Sequence, residues 1–277
     1  MTVNLTPAPG VARKVPGCSL IYEPAGRARE YASLAANVYS GCDHRCVYCY
    51  APLTLRRSPV SFPQSADRPG CLSKLKKEAA RYQAAGVAGR VLLCFTTDPY
   101  QRLDEKAGIT RRAIETLHAH GLAVEVLTKG GTRALRDLDL FTPADAFATT
   151  LTLLDPERSA RWEPGAAGPI NRIAAIREFH RAGVPTWVSL EPVIDPDQAL
   201  AIICETAPVV DVFKVGKLNY AGRLPTELRA EVENIDWPTF ARDAIELLTK
   251  LGFAPNQDPD TLTAGQFYLK RDLACLL

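Results

Sequence analysis

"SLAANVYSGCDHRCVYCYAP", residues 33–52, joins a short apolar run to a glycine and then to three cysteines, Cys42, Cys46 and Cys49. The run 33–39 reads as a β-strand, and the polar segment after it sits at the strand's C-terminal tip. The same arrangement recurs along the chain. Strands are predicted at 90–97, 122–128, 146–153, 185–192 and 210–216, with polar or glycine-rich tips "TTDPYQ", "TKGG", "TLTLLD", "SLEPVID" and "KVGKLN". Helical periodicity fills the intervals at 71–85, 105–120, 132–140, 169–182, 196–206 and 236–251, with Gly86, Gly121, Gly183 and Gly252 as stops. Such alternation implies parallel strands joined by right-handed crossovers. The units form either an open doubly wound sheet or a curved, incomplete barrel, and in both the ligand edge is the C-terminal rim.

The 277-residue chain can bury a large core, and 47% hydrophobic with 23% charged residues is ordinary for a globular protein. A net charge of +2 names no partner. The N-terminal third is locally basic, which reads as solvated surface with a nucleic acid backbone as the alternative contact. "MTVNLTPAPGVARKVPG" at 1–17 lacks the apolar core of a signal peptide, and no run is long enough to span a bilayer, so a cytoplasmic protein without membrane contact is expected. In a reducing compartment the eight cysteines are not a disulfide framework. Cys18, Cys71, Cys94, Cys204 and Cys275 are scattered and read as small buried hydrophobes. Residues 1–32 form an N-terminal extension, 33–220 the core, and 221–277 a C-terminal helix and tail, in which 255–268 is a loop leading to a short strand or helix.

Cys42, Cys46 and Cys49 stand in a C-x3-C-x2-C spacing. Structural zinc sites take four ligands, commonly from two separated pairs, and His44 is too close in sequence for easy tetrahedral closure. Iron–sulfur clusters are also held by thiolates, usually four. Three thiolates on a four-iron cluster leave one iron open, and an open coordination position is where chemistry occurs. A zinc-binding or non-catalytic iron–sulfur protein remains the alternative.

"CDHRCVYC" resembles the signature of the radical S-adenosylmethionine (radical SAM) superfamily, and its place after the first strand matches that superfamily's core. The resemblance implies an α/β fold, a partial (β/α)6 TIM-like barrel of parallel strands with N- and C-terminal extensions. It implies that Cys42, Cys46 and Cys49 ligate a 4Fe-4S cluster whose fourth iron binds S-adenosyl-L-methionine. It also implies a one-electron donor such as flavodoxin or ferredoxin as partner. Tyr48 would face the adenine, and Thr96, Thr97 and Asp98 the methionyl amino group. Lys129 would meet the carboxylate, Thr150 and Thr152 the carboxylate or ribose, and Glu191 the adenine or substrate side.

"SGCDHRCVYCYAP", "CFTTDPYQ", "EVLTKG", "TLTLLD", "IAAIREFHRAGVPTWVSLEPVID" and "DVFKVGKLNY" are together similar to the spore photoproduct lyase-like group, also called DNA repair photolyase-like. That group implies two further candidates, Tyr50 and a hydrogen-donating thiol near Cys94. Aligned on Asp98, however, the donor position falls on Phe95. Alternation along a strand should turn Cys94 to the opposite side. The expectation is therefore a radical SAM enzyme that abstracts a substrate hydrogen atom. Repair of thymine lesions in DNA, and radical modification of a peptide or small molecule, are the alternatives. His118 and His120 suit a helix C-terminus, Trp162, Trp187 and Trp237 read as packing residues, and Lys214 and Lys217 flank the sixth tip.

Overall fold

The computed structural model describes residues 12–277, so the first part of the predicted N-terminal extension lies outside the described residues. All six predicted strands are present, as β1 (Leu34–Ala36), β2 (Arg90–Leu93), β3 (Ala123–Thr128), β4 (Ala146–Thr150), β5 (Thr186–Val193) and β6 (Val212–Lys217). They pair in chain order and all in parallel. The sheet runs further than predicted. β7 (Gln266–Leu269) adds in parallel to β6, Ala254–Pro255 pairs with β7, and Ile21–Tyr22 caps the other edge antiparallel to β1.

The principal helices are α1 (Cys71–Ala84), α2 (Ile109–His118), α3 (Pro169–Arg181), α4 (Pro196–Thr206) and α5 (Trp237–Lys250). Proline stands at the start of α3, α4 and α5, where its missing N–H costs no helical bond. Asp195 and Asp236 cap α4 and α5 by accepting from the N–H groups of Gln198 and Thr239. Two helix predictions need correction. The segment 105–120 is split at Gly108, giving a short helix Arg102–Ala107 before α2, and 131–140 is a 3-10 helix.

Two apolar layers flank the sheet. The outer layer packs α1–α5 onto it, while Ala35, Leu92, Ala146, Ala148, Trp187, Val212 and Tyr268 form a separate inner cluster. Two charged residues are buried by the inner layer. Burial lowers the Lys214 ammonium to about 8, and its Nζ donates to the Tyr31 carbonyl at 2.9 Å and lies 4.7 Å from the Trp187 ring centre. Burial raises the Glu125 carboxyl. Cys18, Cys71 and Cys94 are buried as expected, but Cys204 and Cys275 are exposed.

His118 and His120 have structural partners: His118 Nε2 is 2.9 Å from Asp145 Oδ1, and His120 Nδ1 is 2.8 Å from Gln83 Oε1. Asp145 also accepts from the N–H groups of Val124 and Thr142, tying the end of α2 to β3 and to the turn before β4. Burial alone would raise the Asp145 carboxyl, but His118 and these two N–H groups outweigh it and hold the value below the usual one. Its contribution to stability is therefore complete above about pH 4, where the unfolded carboxyl is ionised, and is lost as pH falls through the lower folded value. Asp145→Asn should cost roughly 1–3 kcal/mol at pH 7. Urea unfolding at pH 7 and pH 3 should show the difference from wild type shrinking in acid.

Candidate active site

Residues 41–65 leave the sheet between β1 and α1 as a long excursion, closed at its base by antiparallel pairing of Tyr39–Ser40 with Ala66–Asp67. This excursion carries the three cysteines. Gly41 turns it at φ +77°, and a Cβ there would stand 2.5 Å from the Phe62 carbonyl oxygen, so glycine is required. A Cβ on Gly165 would meet the Asp43 carbonyl oxygen at 2.1 Å; the Gly165 N–H instead donates to the His44 carbonyl at 2.8 Å. The Val47 N–H donates to the Trp162 carbonyl at 2.9 Å. Segment 162–165, after β4, thus clamps the cysteine loop over the sheet.

Thr97 and Asp98 at the tip of β2 hold the loop from the other side. Thr97 Oγ1 donates to the Gly41 carbonyl at 2.5 Å. Asp98 Oδ1 accepts from Thr128 Oγ1 at 2.6 Å and the Tyr100 N–H at 2.8 Å, and Oδ2 from the Lys129 N–H at 2.8 Å. Its remaining neighbour is His44, whose Nδ1 is 3.4 Å from Oδ2. His44 is buried against Asp98 and Arg133 and does not face solvent.

These tips surround a cavity of about 510 Å³. Of the sequence candidates, Tyr48, Tyr50, Cys94, Thr97, Asp98, Lys129, Thr150 and Glu191 line it, while Thr96 and Thr152 do not. The Thr96 N–H donates to Asn37 Oδ1, and the buried Thr152 hydroxyl has no partner among the described residues. Tyr50 donates to the Phe95 carbonyl at 3.0 Å. Cys94 belongs to the outer apolar layer and is 4% exposed, whereas Phe95 packs with the inner cluster. The outward side chain agrees with strand alternation counted back from Phe95, although Cys94 still contributes to the cavity wall.

Lys129 Nζ lies 5.7 Å from the Tyr48 ring centre and has no ion pair or hydrogen bond among the described residues. The Tyr48 hydroxyl donates to Glu163, which in turn pairs with Arg172 at 2.5 Å in a fully buried bridge. Burial alone would raise the Glu163 carboxyl; Arg172 and then Lys129 outweigh it and hold it low. Burial pushes the Cys42, Cys46 and Cys49 thiols up, Cys46 to about 12. Among the described residues no three His, Cys, Asp or Glu side chains are gathered for a metal ion. A four-iron cluster asks for something different, one thiolate on each of three irons. The donor set fits that group: three thiols on one clamped loop, beside a cavity carrying an ammonium whose Nζ makes no ion pair or hydrogen bond among the described residues.

The family profile of the Radical SAM superfamily matches residues 36–206, the segment from the end of β1 to the end of α4. The chain belongs to the radical SAM superfamily. An uncharacterized protein of Mycobacterium tuberculosis is 31% identical over 166 residues, covering 57% of this chain and 48% of the relative. The chain thus spans about half the length of the curated relative it matches. Among solved structures, spore photoproduct lyase with bound AdoMet and dinucleoside spore photoproduct has TM-score 0.61 at 16% identity, covering 86% of this chain and 76% of that one. Streptococcus suis SuiB bound to S-adenosylmethionine has TM-score 0.57 at 11% identity, covering 85% and 51%. Both likenesses concern the fold.

Several residues lining this cavity were missed by sequence reading. Tyr31, Arg27 and Lys270 line the cavity opposite the cysteine loop. Lys270 is 1% exposed, 3.0 Å from Glu191 and 3.1 Å from Glu30, and its Nζ stands 3.6 Å from the Tyr31 ring centre. Tyr31 donates to Glu191, so Glu191 is engaged by the N- and C-terminal segments together. Lys217, Asn219 and Tyr220 complete the mouth.

Proposed function

We propose that the protein is a radical SAM enzyme in which Cys42, Cys46 and Cys49 hold a 4Fe-4S cluster and the cavity beside them binds S-adenosyl-L-methionine and substrate. Held by Cys42, Cys46 and Cys49, such a cluster would supply one-electron reductive cleavage of S-adenosylmethionine and, through it, abstraction of a hydrogen atom from substrate. The chain's own residues supply binding and shielding. Lys129 meets the methionyl carboxylate with a charge-assisted hydrogen bond. Tyr48, its hydroxyl fixed through Glu163 and Arg172, holds its ring centre 5.7 Å from Lys129 Nζ, where it would face the adenine, and Tyr50 closes the wall toward Phe95. Thr97 and Asp98 act mainly by fixing the cysteine loop and the Lys129 backbone, with Thr150 and Glu191 on the far wall. A C–H bond held in this cavity would gain from positioning against the reacting atoms.

The observation that carries this reading is the Lys129 ammonium, in the cavity beside the cysteine loop, whose Nζ makes no ion pair or hydrogen bond among the described residues. Lys129→Ala, reconstituted with iron and sulfide, should keep its cluster but bind S-adenosylmethionine roughly ten- to hundredfold more weakly in equilibrium dialysis. Unchanged affinity would remove Lys129 from the cofactor site.

A further inference from the structure

The cysteine loop has a second face, away from the cavity. His44 joins the two sides: its Nδ1 turns to Asp98 in the cavity wall, and its Nε2 lies 3.1 Å from Arg133 Nη2. The Asp43 N–H donates to Gln101 Oε1 at 3.0 Å, and the Leu103 N–H donates to Asp43 Oδ2 at 3.3 Å. Gln101 and Arg133, with Glu105 and Arg136, line a separate surface concavity of about 280 Å³ that shares no lining residue with the larger cavity. Single side chains thus connect this concavity to the residues between Cys42 and Cys46.

The exposed charge here is mostly positive. Arg45, adjacent to Cys46, is exposed, as are Arg102 and Lys106, which stand four residues apart on one side of the short helix before α2. The side chains of these three have no hydrogen bond or ion pair among the described residues. Arg133 adds a fourth cation, 3.9 Å from Glu105, the exposed acid on that helix. Asp104 is buried and already paired with Arg136. For a chain of net charge +2, this is a concentrated positive surface directly behind the cysteines.

We propose that Arg45, Arg102, Lys106 and Arg133 form the docking surface for a small acidic one-electron carrier protein that reduces the cluster, an inference that rests on the radical SAM reading above. No bond forms or breaks in this step: the carrier is oxidised by one electron and the cluster reduced by one. Complementary charge of this kind acts chiefly on the association rate and fades with salt.

The test uses reconstituted protein and reduced flavodoxin as the acidic carrier, with stopped-flow absorbance following flavin oxidation. The double variant Arg102→Glu, Lys106→Glu should lower the second-order rate constant at low ionic strength at least about tenfold. The gap from wild type should close near 1 M salt, where charges are screened within about 3 Å. Cluster reduction by dithionite and affinity for S-adenosylmethionine should not change. Equal flavodoxin rates for the two proteins would overturn the docking surface while leaving the radical reading intact. A wild-type protein that dithionite cannot reduce would overturn the radical reading and the docking surface with it.

Discussion

Reconstituted Cys49→Ala protein should release no measurable 5′-deoxyadenosine under reducing conditions, a loss of more than roughly 100-fold against wild type, because even partners outside the ligand set are worth 10- to 100-fold. Cys49 is placed by the turn that its own N–H closes onto the Cys46 carbonyl at 3.1 Å, so the backbone that carries the thiol does not depend on the thiol. Alanine keeps that turn and removes one proposed iron ligand. Circular dichroism and urea unfolding of the unreconstituted variant should match wild type, which separates loss of the cluster from loss of the fold. Full activity in the variant would show that Cys49 is not a ligand.

The second large effect falls on stability. Arg172 donates to Glu163, to the Ala167 carbonyl at 2.6 Å and to the Thr150 carbonyl at 2.9 Å, and both charged groups are 1% exposed or less. Arg172→Ala would leave the Glu163 carboxylate buried without its cation, at a cost of about 3–5 kcal/mol. A paired replacement, Glu163→Leu with Arg172→Met, should be less damaging than Arg172→Ala alone, because buried pairs replaced by apolar groups are often near neutral. Urea unfolding checks both. A single variant no worse than the double would mean that the cost comes from lost packing and not from the orphaned charge. Tyr48 depends on the same pair, so the single variant should also bind S-adenosylmethionine more weakly.

Much of the rim was legible in the sequence because each of the six strands announces itself as an apolar run with a polar tip. The tips put Thr97, Asp98, Lys129, Thr150 and Glu191 on one rim and the family resemblance picked them out, together with Thr96 and Thr152; the first five line the cavity and the last two do not. Lys270 follows the same rule at the end of β7, but that strand is four residues long, emerges from a loop, and is followed only by a four-residue helix, Arg271–Ala274. Its pattern was too short to stand out. The Glu163–Arg172 pair had no local signal, since a loop acid and a helical arginine nine residues apart meet only through tertiary packing. Gly108 sat inside a helical period and was passed over, although it ends one helix and begins the next. Cys94 shows the limit of alternation in another way: β2 ends at Leu93, and Leu93 and Cys94 both pack in the outer layer before Phe95 returns to the inner one.

The measurement that tests the radical SAM site most directly is electron paramagnetic resonance of wild-type protein, reconstituted anaerobically and reduced with dithionite, before and after S-adenosylmethionine is added. A four-iron signal whose g-values shift on addition would place the cofactor on the cluster, as three thiolates and one open iron require. One equivalent of zinc, or a cluster signal that ignores the cofactor, would contradict it and make the loop at residues 41–52 a structural or redox site.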